Sequence, residues 1–113
     1  MKKITLLFLL TIFMACNDEH VELVLFEYAQ TGCADPWEGN ANSSNQVIIT
    51  SVKSYLKSHS IPVYQVKVRF DESAVEMCES CLCRTGKIIQ VYTFPDAELK
   101  LAVLGFVKIG IQQ

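Results

Sequence analysis

Residues 77–86 read MCESCLCRTG, and three of the ten are cysteines. Cys78, Cys81 and Cys83 make a C-x-x-C and a C-x-C that share one sulfur, and a further cysteine, Cys33, stands far upstream. Three chemistries suit such a set. Thiolates grip soft metals such as Cu(I) or Zn(II). Thiols of lowered pKa exchange electrons with disulfides. Half-cystines staple small domains that cannot build a large core. The choice turns on the redox compartment, and on whether the fold brings Cys33 to the other three.

The N-terminus speaks to the compartment. Met1-Lys2-Lys3 is a short basic stretch, and Ile4 to Phe13 is apolar apart from Thr5 and Thr11. That run is too short to span a bilayer, which takes about 20 residues, and it reads as the core of a signal peptide. Met14-Ala15-Cys16 follows. A small residue before a cysteine at this place resembles the lipobox of bacterial lipoproteins, with Phe13 where that family usually has Leu. The resemblance covers residues 1–16. It implies that residues 1–15 are removed, that Cys16 takes a diacylglycerol and becomes the mature N-terminus, and that the chain is anchored to a membrane by this lipid. The alternative is an ordinary secretory signal with Cys16 as a stray thiol. Asn17-Asp18-Glu19 resembles the acidic signals that sort lipoproteins away from the inner membrane or to the cell surface; a solvated tether over 16–20 is the plainer reading. The expected location is the cell envelope, at the outer membrane, facing the periplasm or the surface.

Without Lys2 and Lys3, 8 basic residues stand against 12 acidic ones, a formal net charge of −4. An acidic chain without a basic stripe is a poor partner for nucleic acid. The expected partners are the membrane, through the lipid, and an envelope protein.

The elements that must position the cysteines follow from periodicity. VELVLFEYA, 21–29, is apolar but for two glutamates and reads as a central strand. A loop rich in Gly, Asn and Ser follows. Ser43 with Gln46 fits a capping box, and Ile48, Val52, Tyr55 and Leu56 then make one helical stripe, ended by Pro62. Across 63–71, Tyr64, Val66, Val68 and Phe70 alternate with Gln65, Lys67 and Arg69, the pattern of a half-buried strand. After the cysteine loop, 87–94 reads as a strand, Pro95 opens a short helix through Leu104 with Gly105 as its stop, and 106–111 is the last strand. The order β-α-β-β-α-β over 21–113 is that of a ferredoxin-like α+β open-faced sandwich: a four-stranded antiparallel sheet with two helices on one face. In that layout the first two strands run the same way. The loops that follow them share one end, so Cys33 meets Cys78, Cys81 and Cys83 at a single pole.

The layout, and the ending LAVLGFVKI, resembles the heavy-metal-associated domains of copper chaperones and transporters. That family binds Cu(I) through a C-x-x-C in the loop after its first strand. Here that loop carries only Cys33, within TGCADPW, and the C-x-x-C sits in the other loop. The family's copper ligands therefore do not transfer.

Three readings of the pole remain, and the compartment orders them. Disulfides come first: with Cys16 lipidated, four cysteines remain, an even set in a small extracytoplasmic domain. Cys33 would bridge to one of the cluster and the other two would pair. A metal site comes second, with Cys33, Cys78, Cys81 and Cys83 as sulfur ligands for Cu(I) or Zn(II) and Met77 as a further soft ligand. The missing second C-x-x-C counts against a zinc ribbon, and the absence of twin arginines in the export signal counts against an iron–sulfur cluster. Exchange by Cys78 and Cys81 comes third; Arg84 and Lys87 favour a thiolate there, while Glu76 and Glu79 oppose it. Asp35-Pro36-Trp37 reads either as a binding surface beside the pole or as a turn with Trp37 capping the core edge. His59 falls at the far end of the first helix and His20 in the tether, so neither is a ligand. No Ser/His/Asp set and no phosphate loop appears. The expected role is a non-enzymatic binding or interaction module without a certain cofactor.

Overall fold

The computed structural model describes residues 22–39 and 42–112. The signal-like segment, Cys16, the acidic tether, His20 and Val21 lie outside the described residues. The elements in chain order are β1 (Leu23–Thr31), α1 (Asn45–Ser58), β2 (Gln65–Phe70), a 3₁₀ turn (Glu72–Ala74), β3 (Arg84–Thr93), a second 3₁₀ turn (Pro95–Ala97), α2 (Glu98–Val103) and β4 (Val107–Gln112). The sheet order is β2-β3-β1-β4, and every neighbouring pair is antiparallel. This is the ferredoxin-like sandwich expected, with β1 central.

One face of the sheet is the core. Val24 and Phe26 of β1, Val66 of β2, and Ile89 and Val91 of β3 alternate inward, and Phe26, Val91 and Val66 lie in register across three strands. Ile48, Val52 and Leu56 recur at intervals of four along α1 and bury on this face, and Leu101 does the same from α2. Full burial of such a side chain contributes about 1.5–3 kcal/mol, so this small set dominates the fold's cohesion.

Several boundaries move from their expected places. The cap of α1 is Ser44, not Ser43: its side chain accepts from the Val47 N–H at 3.3 Å, and Gln46 donates to Thr50 instead of reaching back to close a capping box. Either serine can cap by type, and Ser44 is the one whose hydroxyl meets the Val47 N–H. β2 is shorter than 63–71, and of its inward side chains Val66 is buried while Tyr64 and Phe70 stay exposed. As an edge strand it is covered only at its middle. β3 starts at Arg84, three residues before the expected 87, because the chain folds back onto β1 while still in the cysteine loop. α2 is brief and follows a 3₁₀ turn opened by Pro95, and Gly105, at φ +95°, makes the expected stop.

On the outer face, where Leu25 and Ile88 are also buried, Glu27, Gln90 and Arg69 form a polar group across β1, β3 and β2. Arg69 donates to both carboxylate oxygens of Glu27 at 3.0 Å, and the Gln90 amide donates to the same carboxylate at 2.8 Å. This pairing ties the edge strand to the central strand across the one between them. The bond to Arg69 first, and that to Gln90 second, hold the Glu27 carboxyl below its ordinary value of 4.5 against the opposing effect of burial. A depressed carboxylate stabilises the fold above its unfolded value and loses that contribution as pH falls through its folded value. The thermal stability of the wild-type chain should therefore fall progressively below about pH 4.5. In Glu27→Gln that part of the slope should be shallower, and the melting temperature near neutral pH should be lower.

Candidate functional site

The cysteine pole is built on a continuation of the β1–β3 pairing. Thr31 pairs with Arg84, with a register shift after Ala29. Beyond Thr31, the Gly32 N–H donates to the Cys83 carbonyl at 3.0 Å and the Cys33 N–H to the Cys81 carbonyl at 3.2 Å. These two bonds bring the chain after β1 alongside the chain before β3. Cys33 and Cys81 form a disulfide with their Cα atoms 4.6 Å apart, and Cys78 and Cys83 form a second with Cα atoms 6.0 Å apart. All four cysteines meet at one pole, and the pattern is the one expected: Cys33 takes one member of the cluster and the other two pair. Cys83 is buried, and Cys33, Cys78 and Cys81 are exposed.

Each loop has its own anchorage. Asp35 is the hub of the first. Its carboxylate accepts from the Thr31 N–H at 3.1 Å, the Thr31 hydroxyl at 2.7 Å and the Tyr28 hydroxyl at 3.0 Å. Burial, then the Asp35 charge, pushes the Tyr28 hydroxyl up to about 12. Trp37 is 7% exposed and rests edge-on against Tyr28 at 4.7 Å, with Tyr55 and Phe106 completing an aromatic group. Of the two readings of Asp35-Pro36-Trp37, the core turn is the one observed. Asp35 and Trp37 fasten the loop to the domain, and Pro36 and Trp37 line a shallow groove of about 440 Å³ with Glu38, Ser51, Ser54 and Tyr55.

The second loop folds back on itself. The Asp71 N–H donates to the Gly86 carbonyl at 2.7 Å and the Glu76 N–H to the Arg84 carbonyl at 3.0 Å, while the Arg84 guanidinium lies 3.4 Å from the Glu76 carboxylate. Gly86 sits at φ +92°, and a Cβ there would come within 2.6 Å of Val75 and 2.7 Å of Phe70. Thr85 donates to the buried Gln30 side chain at 2.7 Å. The Lys87 ammonium donates to the Ser43 carbonyl at 2.9 Å, which ties the start of α1 to the start of β3.

This geometry bears on the chemistry. Paired sulfurs are not thiolates, and thiolates are what bind soft metals and attack disulfides. Cys78 and Cys81 are each bonded to another residue, so the C-x-x-C is split between two bridges. Among the described residues, no group of three or more His, Cys, Asp or Glu side chains is placed to hold a metal ion. Met77 is almost wholly exposed. His59 caps α1 with its backbone N–H, and its ring lies 4.5 Å from that of Tyr55. The sequence reading passed over the Asp35 hub and the Glu27–Arg69–Gln90 network. An Asp four residues after a strand-ending Thr is a usable signal for the first; the second joins residues far apart in the chain and has no local signature.

The two bridges differ in what they constrain. Cys33–Cys81 spans a sequence separation of 48 and Cys78–Cys83 one of 5. In the chain-entropy account these are worth about 4 and about 2 kcal/mol. Denaturant unfolding should therefore rank Cys33→Ser/Cys81→Ser well below Cys78→Ser/Cys83→Ser, and both below wild type. Gly86→Ala should cost about 1–3 kcal/mol in the same assay, with both bridges still formed.

No protein-family model matches this chain, and neither a curated protein nor a solved structure matches it.

Proposed function

We propose that this chain is a lipid-anchored protein of the cell envelope, fixed through Cys16 at the outer membrane. Its domain acts there as a non-enzymatic interaction module. The observation that carries this reading is the pairing of all four cysteines of the domain into two disulfides at one pole. Such bridges persist outside the reducing cytoplasm, which agrees with the signal-like start of the chain. A small domain with two cross-links at one end holds that end rigid, as a binding surface requires.

A second reading rests on the same convergence. Were the bridges reduced, Cys33, Cys78, Cys81 and Cys83 would supply four thiolates at one place, a set suited to Cu(I) or Zn(II). Thiol–disulfide exchange through Cys78 and Cys81 has less support, since those two residues are not each other's partners.

The deciding measurement is the intact mass of the mature chain, isolated from the envelope without chelator, under native and denaturing conditions. The staple reading expects a lipid adduct and a domain four hydrogens lighter than its reduced form. Four free thiols, with Zn or Cu mass lost on denaturation, would replace it with the metal reading. Cys16→Ala should move the protein from the membrane fraction to the soluble one; if it stays with the membrane, the lipid anchor is wrong.

A further inference from the structure

The loop between β2 and β3 spends both disulfides on an unusual cargo. Met77 is 96% exposed and Leu82 71% exposed. Each immediately precedes a half-cystine of the same bridge, Cys78 and Cys83, so one cross-link tethers both of the short segments that carry them. Phe70 and Val75 also show apolar surface on the flank of this loop, where both would touch a Cβ placed on Gly86. Single exposed apolar residues are ordinary. Several carried on one cross-linked loop are a candidate contact surface, and methionine adapts its shape to whatever covers it.

Charge identifies what that cover is. Residues 71–84 contain Asp71, Glu72, Glu76 and Glu79 against Arg84 alone, a net charge of −3. Arg84 is engaged by Glu76 at 3.4 Å and Asp71 by Arg69 at 3.8 Å, so Glu72 and Glu79 carry the loop's unpaired negative charge. An apolar loop with an excess of carboxylates repels the anionic headgroups of a bilayer and repels a second copy of itself. It attracts a surface in which lysines or arginines surround an apolar recess. We propose that the Met77–Leu82 tip is a docking surface for a basic protein partner, with the two apolar side chains as anchors and the loop's carboxylates steering approach. This rests on the staple reading above, because the bridges are what hold the anchors in place before binding.

The test uses the mature chain with its disulfides verified by mass, and as probe a synthetic amphipathic peptide of leucine and lysine, followed by fluorescence anisotropy. Saturable binding is expected, weakening as salt rises. Met77→Ala/Leu82→Ala should weaken it at least tenfold with an unchanged melting temperature, since both side chains are exposed. Glu76→Gln/Glu79→Gln should weaken it and flatten its salt dependence. Leu99→Ala/Val103→Ala, which removes exposed apolar groups from α2, should leave it unchanged. The same peptide with glutamate for lysine should not bind. Absence of binding with both bridges intact overturns the basic-partner proposal and leaves the staple reading standing; missing bridges overturn the staple reading itself. Equal loss from the α2 variant would mean nonspecific stickiness and would sink the proposal. So would binding to phosphatidylglycerol vesicles that depends on Met77 and Leu82, which would make the tip a membrane contact.

Discussion

Two backbone hydrogen bonds, from Gly32 to the Cys83 carbonyl and from Cys33 to the Cys81 carbonyl, hold the cysteine pole of this molecule together. They carry the β1–β3 pairing past the end of β1 and into two loops that would otherwise be independent. The Cys33–Cys81 bridge can form because this pairing has already brought its two Cα atoms to 4.6 Å. The bridge in turn restrains the segment that holds Cys78 and Cys83. Order at the pole is thus inherited from the sheet, and the sulfurs lock what the backbone has arranged.

The sheet has the opposite problem at its far edge. β2 is covered by α1 over only part of its length, and an edge strand offers unpaired backbone to any passing chain. Here its outward side chains are Gln65, Lys67 and Arg69, and Arg69 is spent on Glu27 two strands away. Lys67 lies 5.5 Å from the centre of the Tyr92 ring on the neighbouring strand. The charges that discourage edge pairing therefore also clamp the edge to the rest of the sheet. β2 leads directly into the cysteine loop, so this clamp steadies the approach to the pole.

Much of this was legible in the sequence, for particular reasons. The alternation from Val66 to Val68 and the spacing of Ile48, Val52 and Leu56 reflect periods that burial enforces, and element order then dictated that the loops after β1 and β2 share an end. The meeting of Cys33 with the later cluster followed from that order alone. Which sulfur joins which did not follow, because Cys78, Cys81 and Cys83 are all close enough in sequence to compete for Cys33. The choice depends on the extra pairing at Gly32 and Cys33, a tertiary fact. The shift from Ser43 to Ser44 has the same character: two adjacent serines are equivalent by type, and which of them caps depends on the backbone the loop takes into the helix. Trp37 was open to two readings because a loop aromatic can point either way, and the Tyr28–Asp35–Thr31 anchorage that turns it inward draws on both the strand and the loop.

That inward turn has a practical consequence. Trp37 is the chain's single tryptophan, and it sits where the loop after β1 meets α1, four residues beyond Cys33. Its near-ultraviolet emission is therefore a local reporter of whether that loop is seated, separate from the far-ultraviolet signal of the sheet and helices. A protein whose bridges open without global unfolding would announce it as a red-shifted indole over an unchanged backbone spectrum.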